Sequence, residues 1–168
     1  MKRRLFTLLL AALIFISASI INTDVEAAGK SAVKLSNKGI GKSFKTIPQL
    51  CKGTNNIIMT KRGVYICYTA EKTKKYTLTF SSLGNAKTLD TDIRTAVNAK
   101  CIKDLKRKPT ETVALCGSKY VKEYRYTGYM KTRTVTFKMK KGETVYVYLS
   151  YGKVLNKNKN VSCKIKLR

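Results

Sequence analysis

Histidine and tryptophan are both absent from the 168 residues, and carboxylates are few: 9 Asp+Glu against 35 Lys+Arg, a formal charge of +26. Without histidine there is no Ser-His-Asp or Cys-His nucleophile system and no His-ligated metal centre. No Cys-x-x-Cys pair, Gly-rich phosphate loop or nucleophile elbow is present either. Beyond residue 27 the carboxylates are Glu71, Asp90, Asp92, Asp104, Glu111, Glu123 and Glu143, and nothing pairs two of them as a glycosidase dyad would require. Asp90 and Asp92 alone stand at i, i+2, so an extended backbone sends both to one face. That pair has the chemistry to take up Ca²⁺, but a strongly positive field disfavours a cation, and a turn-capping role is the better reading. Catalysis, a cofactor and a metal are accordingly not expected.

What is there is apolar residue content, cysteine and tyrosine. At 43% apolar the chain is too hydrophobic for a basic disordered tail, and its length suits one domain. Lys2, Arg3 and Arg4 precede the uncharged, mostly apolar run Leu5–Ile21, and Val25-Glu26-Ala27 places small residues at the positions signal peptidase accommodates. Residues 1–27 therefore read as a cleaved signal peptide, with an uncleaved anchor as the alternative, and the product as secreted. Cleavage removes three basic and two acidic residues, so the charge hardly changes. Such a field attracts polyanions, although lysine also serves as a plain solubilising surface residue, and it outnumbers arginine here.

All five cysteines, Cys51, Cys67, Cys101, Cys116 and Cys163, lie beyond the leader. In an oxidising space disulfides are the default. The favoured pairs are the local ones, Cys51–Cys67 and Cys101–Cys116, each closing a hairpin-sized loop for roughly 3 kcal/mol in the chain-entropy model. Cys163 would then be the odd thiol, buried or bonded to a partner protein.

The patterning reads as strands after a loose segment at 28–50 that holds one edge strand at most. Val64, Ile66 and Tyr68 alternate with their neighbours; so do Tyr76, Leu78 and Phe80, with Thr77 and Thr79 facing water. Residues 92–100 fit a strand or a short helix, the β-branched residues favouring strand. Thr112–Cys116, Tyr120–Tyr126, Thr134–Lys140, Val145–Leu149 and Val161–Leu167 follow, with Lys103–Pro109, Lys141–Glu143 and Ser150–Asn160 as turns or loops. About eight short antiparallel strands without a long helix predict an all-β domain over 51–168, a β-sandwich or jelly roll, with a barrel as the alternative.

The hairpin Val64–Phe80, the step Leu89-Asp90-Thr91-Asp92-Ile93 and the strand pair Phe137–Leu149 resemble recurring segments of bacterial pre-peptidase C-terminal-like domains. The similarity spans roughly residues 57–167; Lys74 stands where that family's hairpin carries glycine, and its members do not usually carry five cysteines. The resemblance implies a jelly-roll sandwich accompanying secreted enzymes, with substrate or surface binding as its usual role.

One stretch suggests a ligand face. In Lys119–Lys131 tyrosines alternate with basic residues, and a strand would bring Tyr120, Lys122, Tyr124 and Tyr126 to one side with Arg125 beside them. Rings stack on sugars or bases while cations hold anionic groups, but tyrosines of a strand also pack in cores. Tyr146, Tyr148 and Tyr151 raise the same question. The expectation is a non-catalytic module for an anionic polymer or glycan surface such as a cell-wall polymer or acidic polysaccharide, with no specific nucleic acid. A membrane-active effector directed at anionic lipid, or a structural accessory tethered through Cys163, are the rivals.

Overall fold

The computed structural model describes residues 32–35, 47–97, 99, 104–105 and 109–168. The signal-peptide reading at 1–27 and the cysteine at 101 lie outside them. The described chain forms nine strands in two facing sheets. They are β1 (Val33–Leu35), β2 (Gly53–Met59), β3 (Val64–Thr69), β4 (Lys74–Gly84), β5 (Thr88–Ala96), β6 (Glu111–Cys116), β7 (Thr132–Met139), β8 (Thr144–Tyr151) and β9 (Val161–Leu167). One sheet has the order β1-β2-β9-β4-β7 and the other β3-β8-β5-β6. The eight strands β2–β9 thus wind as a jelly roll, so the protein is an all-β sandwich. All their pairings are antiparallel; β1 departs from the expected pattern as an added edge strand that runs parallel to β2.

Period-two alternation builds the core. Tyr76, Leu78 and Phe80 of β4, Val145, Val147 and Leu149 of β8, and Val161, Cys163, Ile165 and Leu167 of β9 all close on the space between the sheets. On the outer face of β4, Thr77–Thr136 and Thr79–Thr134 join hydroxyls across the strands at 3.0 and 3.1 Å.

Strand β3 is buried on both faces, where simple alternation predicts one. Tyr65 and Cys67 pack with Tyr146 on the far side of the four-stranded sheet, under Ile47 and Leu105. Leu105 comes from the stretch expected to be a charged turn. Two boundaries also move. The strand expected at 92–100 begins at Thr88 and ends at Ala96, leaving Val97 63% exposed. Strand β4 continues past Phe80 to Gly84 through an irregularity against β9, with Ser82 at φ 56°.

Turns carry the residues they need. Gly142, at φ +82°, turns β7 into β8, and Gly63, at φ +70°, precedes β3. The 152–160 loop, expected to be merely solvated, is pinned by Asn85. Its side-chain amide donates to the carbonyls of Asn156 (2.9 Å) and Lys159 (2.5 Å), and its oxygen accepts from the Asn156 N–H at 2.9 Å.

The expected disulfides are not formed: Cys51, Cys67, Cys116 and Cys163 are all free thiols. Cys67 corrects the Cys51–Cys67 pairing physically, because its sulfur points into the outer apolar cluster and toward the carbonyls of Ile47 and Pro48, while Cys51 is exposed. Cys116, a free thiol too, likewise leaves the Cys101–Cys116 link unmade. Cys163 lies in the core, with burial pushing its thiol up to about 12. Burial likewise pushes Cys67 up to about 11.

Candidate functional site

The chain leaves the four-stranded sheet at Cys116 and re-enters the five-stranded sheet at Thr132; the connection between them builds the site. Residues 120–126, expected as a strand, are helical. A 3-10 turn at Ser118–Tyr120 leads into the one-turn helix α1 (Val121–Tyr124) and a second 3-10 turn at Arg125–Thr127. Local bonds favour the coil: the Tyr120 N–H donates to the Gly117 carbonyl at 2.8 Å, and the Thr127 hydroxyl donates to the Tyr124 carbonyl at 2.7 Å. Gly128, left-handed at φ 80°, ends it, as glycine does at helix C-termini. The alternation of tyrosine and lysine was a true sequence pattern read with the wrong period.

The helical path scatters the predicted face. Lys87 lies over the Tyr120 ring (5.0 Å) and pairs with Glu123 at 2.9 Å, so Tyr120 supports the loop. That pairing holds the Glu123 carboxyl below its usual range and the Lys87 ammonium above its own. Tyr124 packs against Tyr129 with ring centroids 5.5 Å apart, and burial raises its hydroxyl pKa. Tyr126 is 86% exposed, and Lys122 is exposed. The backbone of Arg125 opens the second 3-10 turn. Of the four whose side chains are described, Lys122 lines the cleft described next.

That cleft lies between α1 and the start of β7 and has a volume of about 840 Å³, within the range of small-ligand pockets. Among the described residues four cations line it, Lys119, Lys122, Lys131 and Arg133, together with apolar Val121 and Met130, the Tyr129 ring and no carboxylate. The Arg133 guanidinium donates to the Met130 thioether at 3.3 Å. Backbone bonds seat the floor: Met130 accepts from Cys116 N–H at 3.0 Å and donates to the Ala114 carbonyl at 3.3 Å.

Tyr129 ties the cleft to the sheet. Its hydroxyl donates to Asp90 Oδ1 at 2.7 Å, and this bond, then burial, pushes its pKa up to about 12. Asp90 therefore anchors a tyrosine from within β5, and its neighbour Asp92 pairs with Arg94 at 3.0 Å; neither caps a turn. Sequence reasoning missed Tyr129, Met130, Lys131 and Arg133 as site residues. The signal was present in the Gly128 that ends the helical path, but the cleft arises only when that path folds back on β6.

Among the described residues no three His, Cys, Asp or Glu side chains come together as a metal site. No helix among them is long and apolar enough to cross a membrane.

No protein-family model matches the chain, and no match to it was found among the curated proteins. Among solved structures, it is similar to CorA of Methylomicrobium album BG8, described as a surface-associated copper-binding protein. The identity is 6%, the TM-score 0.40, and the match covers 80% of this chain and 98% of that one.

Proposed function

We propose that the protein is a secreted, strongly basic, non-catalytic module that binds an acidic glycan through the cleft between α1 and β7. The carrying observation is the composition of that cleft: four cations beside apolar and aromatic side chains, with no carboxylate among the described lining residues. Ammonium and guanidinium groups would hold carboxylate or phosphate groups, while the Tyr129 ring, Val121 and Met130 offer a surface to the apolar face of a sugar. The charge of +26 supports long-range attraction to a polyanionic surface. The leader, with Lys2, Arg3 and Arg4 before Leu5–Ile21, supports export. The likeness of residues 57–167 to pre-peptidase C-terminal-like domains points the same way, since surface or substrate binding is their usual role.

The test is titration calorimetry with a short acidic oligosaccharide, an oligogalacturonide, against the wild type and K122Q/K131Q. The expected result is a tenfold or larger loss, against less than twofold for the surface control K61Q/K157Q. Equal losses in the two variants would overturn the reading in favour of diffuse charge. Calcein release from phosphatidylglycerol vesicles would overturn it in favour of a membrane-active effector.

A further inference from the structure

The outer face of the five-stranded sheet is a second cationic surface, away from the cleft's floor and built on regular backbone. Core residues Cys163, Ile165 and Leu167 point inward from the central strand β9, so Lys164, Lys166 and Arg168 point outward. Arg168 continues the ladder beyond β9, exchanging backbone bonds of 3.0 Å with Thr77. Successive outward side chains of a strand are about 7 Å apart, so these three cations form a straight row about 14 Å long.

Hydroxyls flank the row. Lys166 stands opposite Thr79, which is paired with Thr134, and Arg168 opposite Thr77, which is paired with Thr136. In each threonine pair one hydroxyl donates to the other, leaving the second hydroxyl's proton for an anion oxygen. No outward position of β2, β9, β4 or β7 carries a carboxylate or an aromatic ring.

We propose that this face binds an extended poly(polyol phosphate) chain lying along β9. The cation spacing selects the repeat: two residues of a strand are six backbone bonds, and a phosphodiester chain bridged by a three-carbon diol also repeats every six bonds. Phosphates of such a chain fall in step with Lys164, Lys166 and Arg168, one to each cation. A single-stranded nucleic acid has the same backbone count, but its proteins add aromatic rings on which bases stack, and this face has none. A pyranose chain would also find no ring to stack on. The proposal is independent of the cleft, whose cations lie on the 118–131 connection and at the first residues of β7, none of them on β9.

The experiment measures binding of purified poly(glycerol phosphate) to the full protein at two salt concentrations. K164Q/K166Q is expected to lose at least tenfold in affinity. It should also lower the salt dependence, log K against log salt, by about 1.4, the single-strand value for two lost phosphate contacts. K164R/K166R should restore binding, and the control K61Q/K157Q, with the same charge loss, should change it less than twofold. The cleft variant K122Q/K131Q should leave it within twofold, which separates failure here from failure of the cleft reading. The proposal is overturned by equal loss in the control, or by oligo(dT) binding as tightly as the polyol phosphate. A K164Q/K166Q protein that melts with the wild type and binds undiminished also overturns it.

Discussion

Replacing Tyr129 by phenylalanine removes one oxygen and leaves the ring packed on Tyr124. What is lost is the 2.7 Å bond to Asp90 that ties the cleft's connection to β5. A hydrogen bond to a charged acceptor contributes ~1.5–3 kcal/mol, and the exposure of Asp90 lets water compete, which brings the expected loss to about 1 kcal/mol. The rise of the Tyr129 pKa from 10.0 to about 12 has the same sign, and because solvent screens this partly exposed group and part of the rise is burial and repulsion between tyrosinate and Asp90, it is consistent with no more than that modest loss. For a domain of this size ~1 kcal/mol lowers Tm by about 2–4 °C. The pH dependence has a fixed sign. A tyrosine whose folded pKa is above its unfolded value contributes its stability in full below pH 10, and loses it as pH rises through about 12. Thermal melts of wild type and Tyr129→Phe should therefore differ by 2–4 °C at pH 7 to 9 and converge between pH 10 and 12. Lysine deprotonation over the same range acts on both proteins alike and cancels. Equal melting at pH 7, or a gap that persists unchanged at pH 12, would refute the tether.

Asn85 offers a separation of conformation from bonding: at φ 59° glycine fits its backbone, so Asn85→Gly should cost about 1–2 kcal/mol through lost bonds to the 152–160 loop, and Asn85→Ala about 1 kcal/mol more, measured by urea unfolding. In a thiol titration of the native reduced protein, Cys51 should react at once, while Cys163, Cys67 and Cys116 should react only on unfolding, Cys163 being the most protected; prompt labelling of Cys163 would contradict its burial. Leu78→Ala, at a site with no solvent exposure, should destabilise by about 2–5 kcal/mol in urea without altering ligand affinity of the protein that remains folded. Gly142→Ala should cost only about 1 kcal/mol, because the position has a positive φ but open space around it; Gly152→Ala should cost more, because its new methyl would meet Thr88 Oγ1.

The sequence by itself determined the all-β class and the core face of each strand, because a strand's period of two is written in adjacent residues. Tyr76-Thr-Leu-Thr-Phe80 and Val161-Ser-Cys-Lys-Ile-Lys-Leu167 each state which side is core, and two such faces must close on one another. It also determined the excess of cation over carboxylate, and hence the class of ligand worth testing. Tertiary structure decided the rest. The alternation in 119–131 became a helical connection because Lys87, Asp90 and Ala114, distant in the chain, supply the partners that hold Glu123, Tyr129 and Met130 in place. Tyr65 and Cys67 became buried on the outer face because Ile47 and Leu105 cover them, a contact no local pattern encodes. The cysteines, spaced as two hairpin loops, were sent to separate environments by the register of strands far apart in sequence. Cys163 sits opposite Ile57 in the core, whereas Cys67 lies opposite Tyr146 beneath Ile47. Local periodicity fixes which face of a strand is wet; only the pairing of distant strands decides what stands across from it.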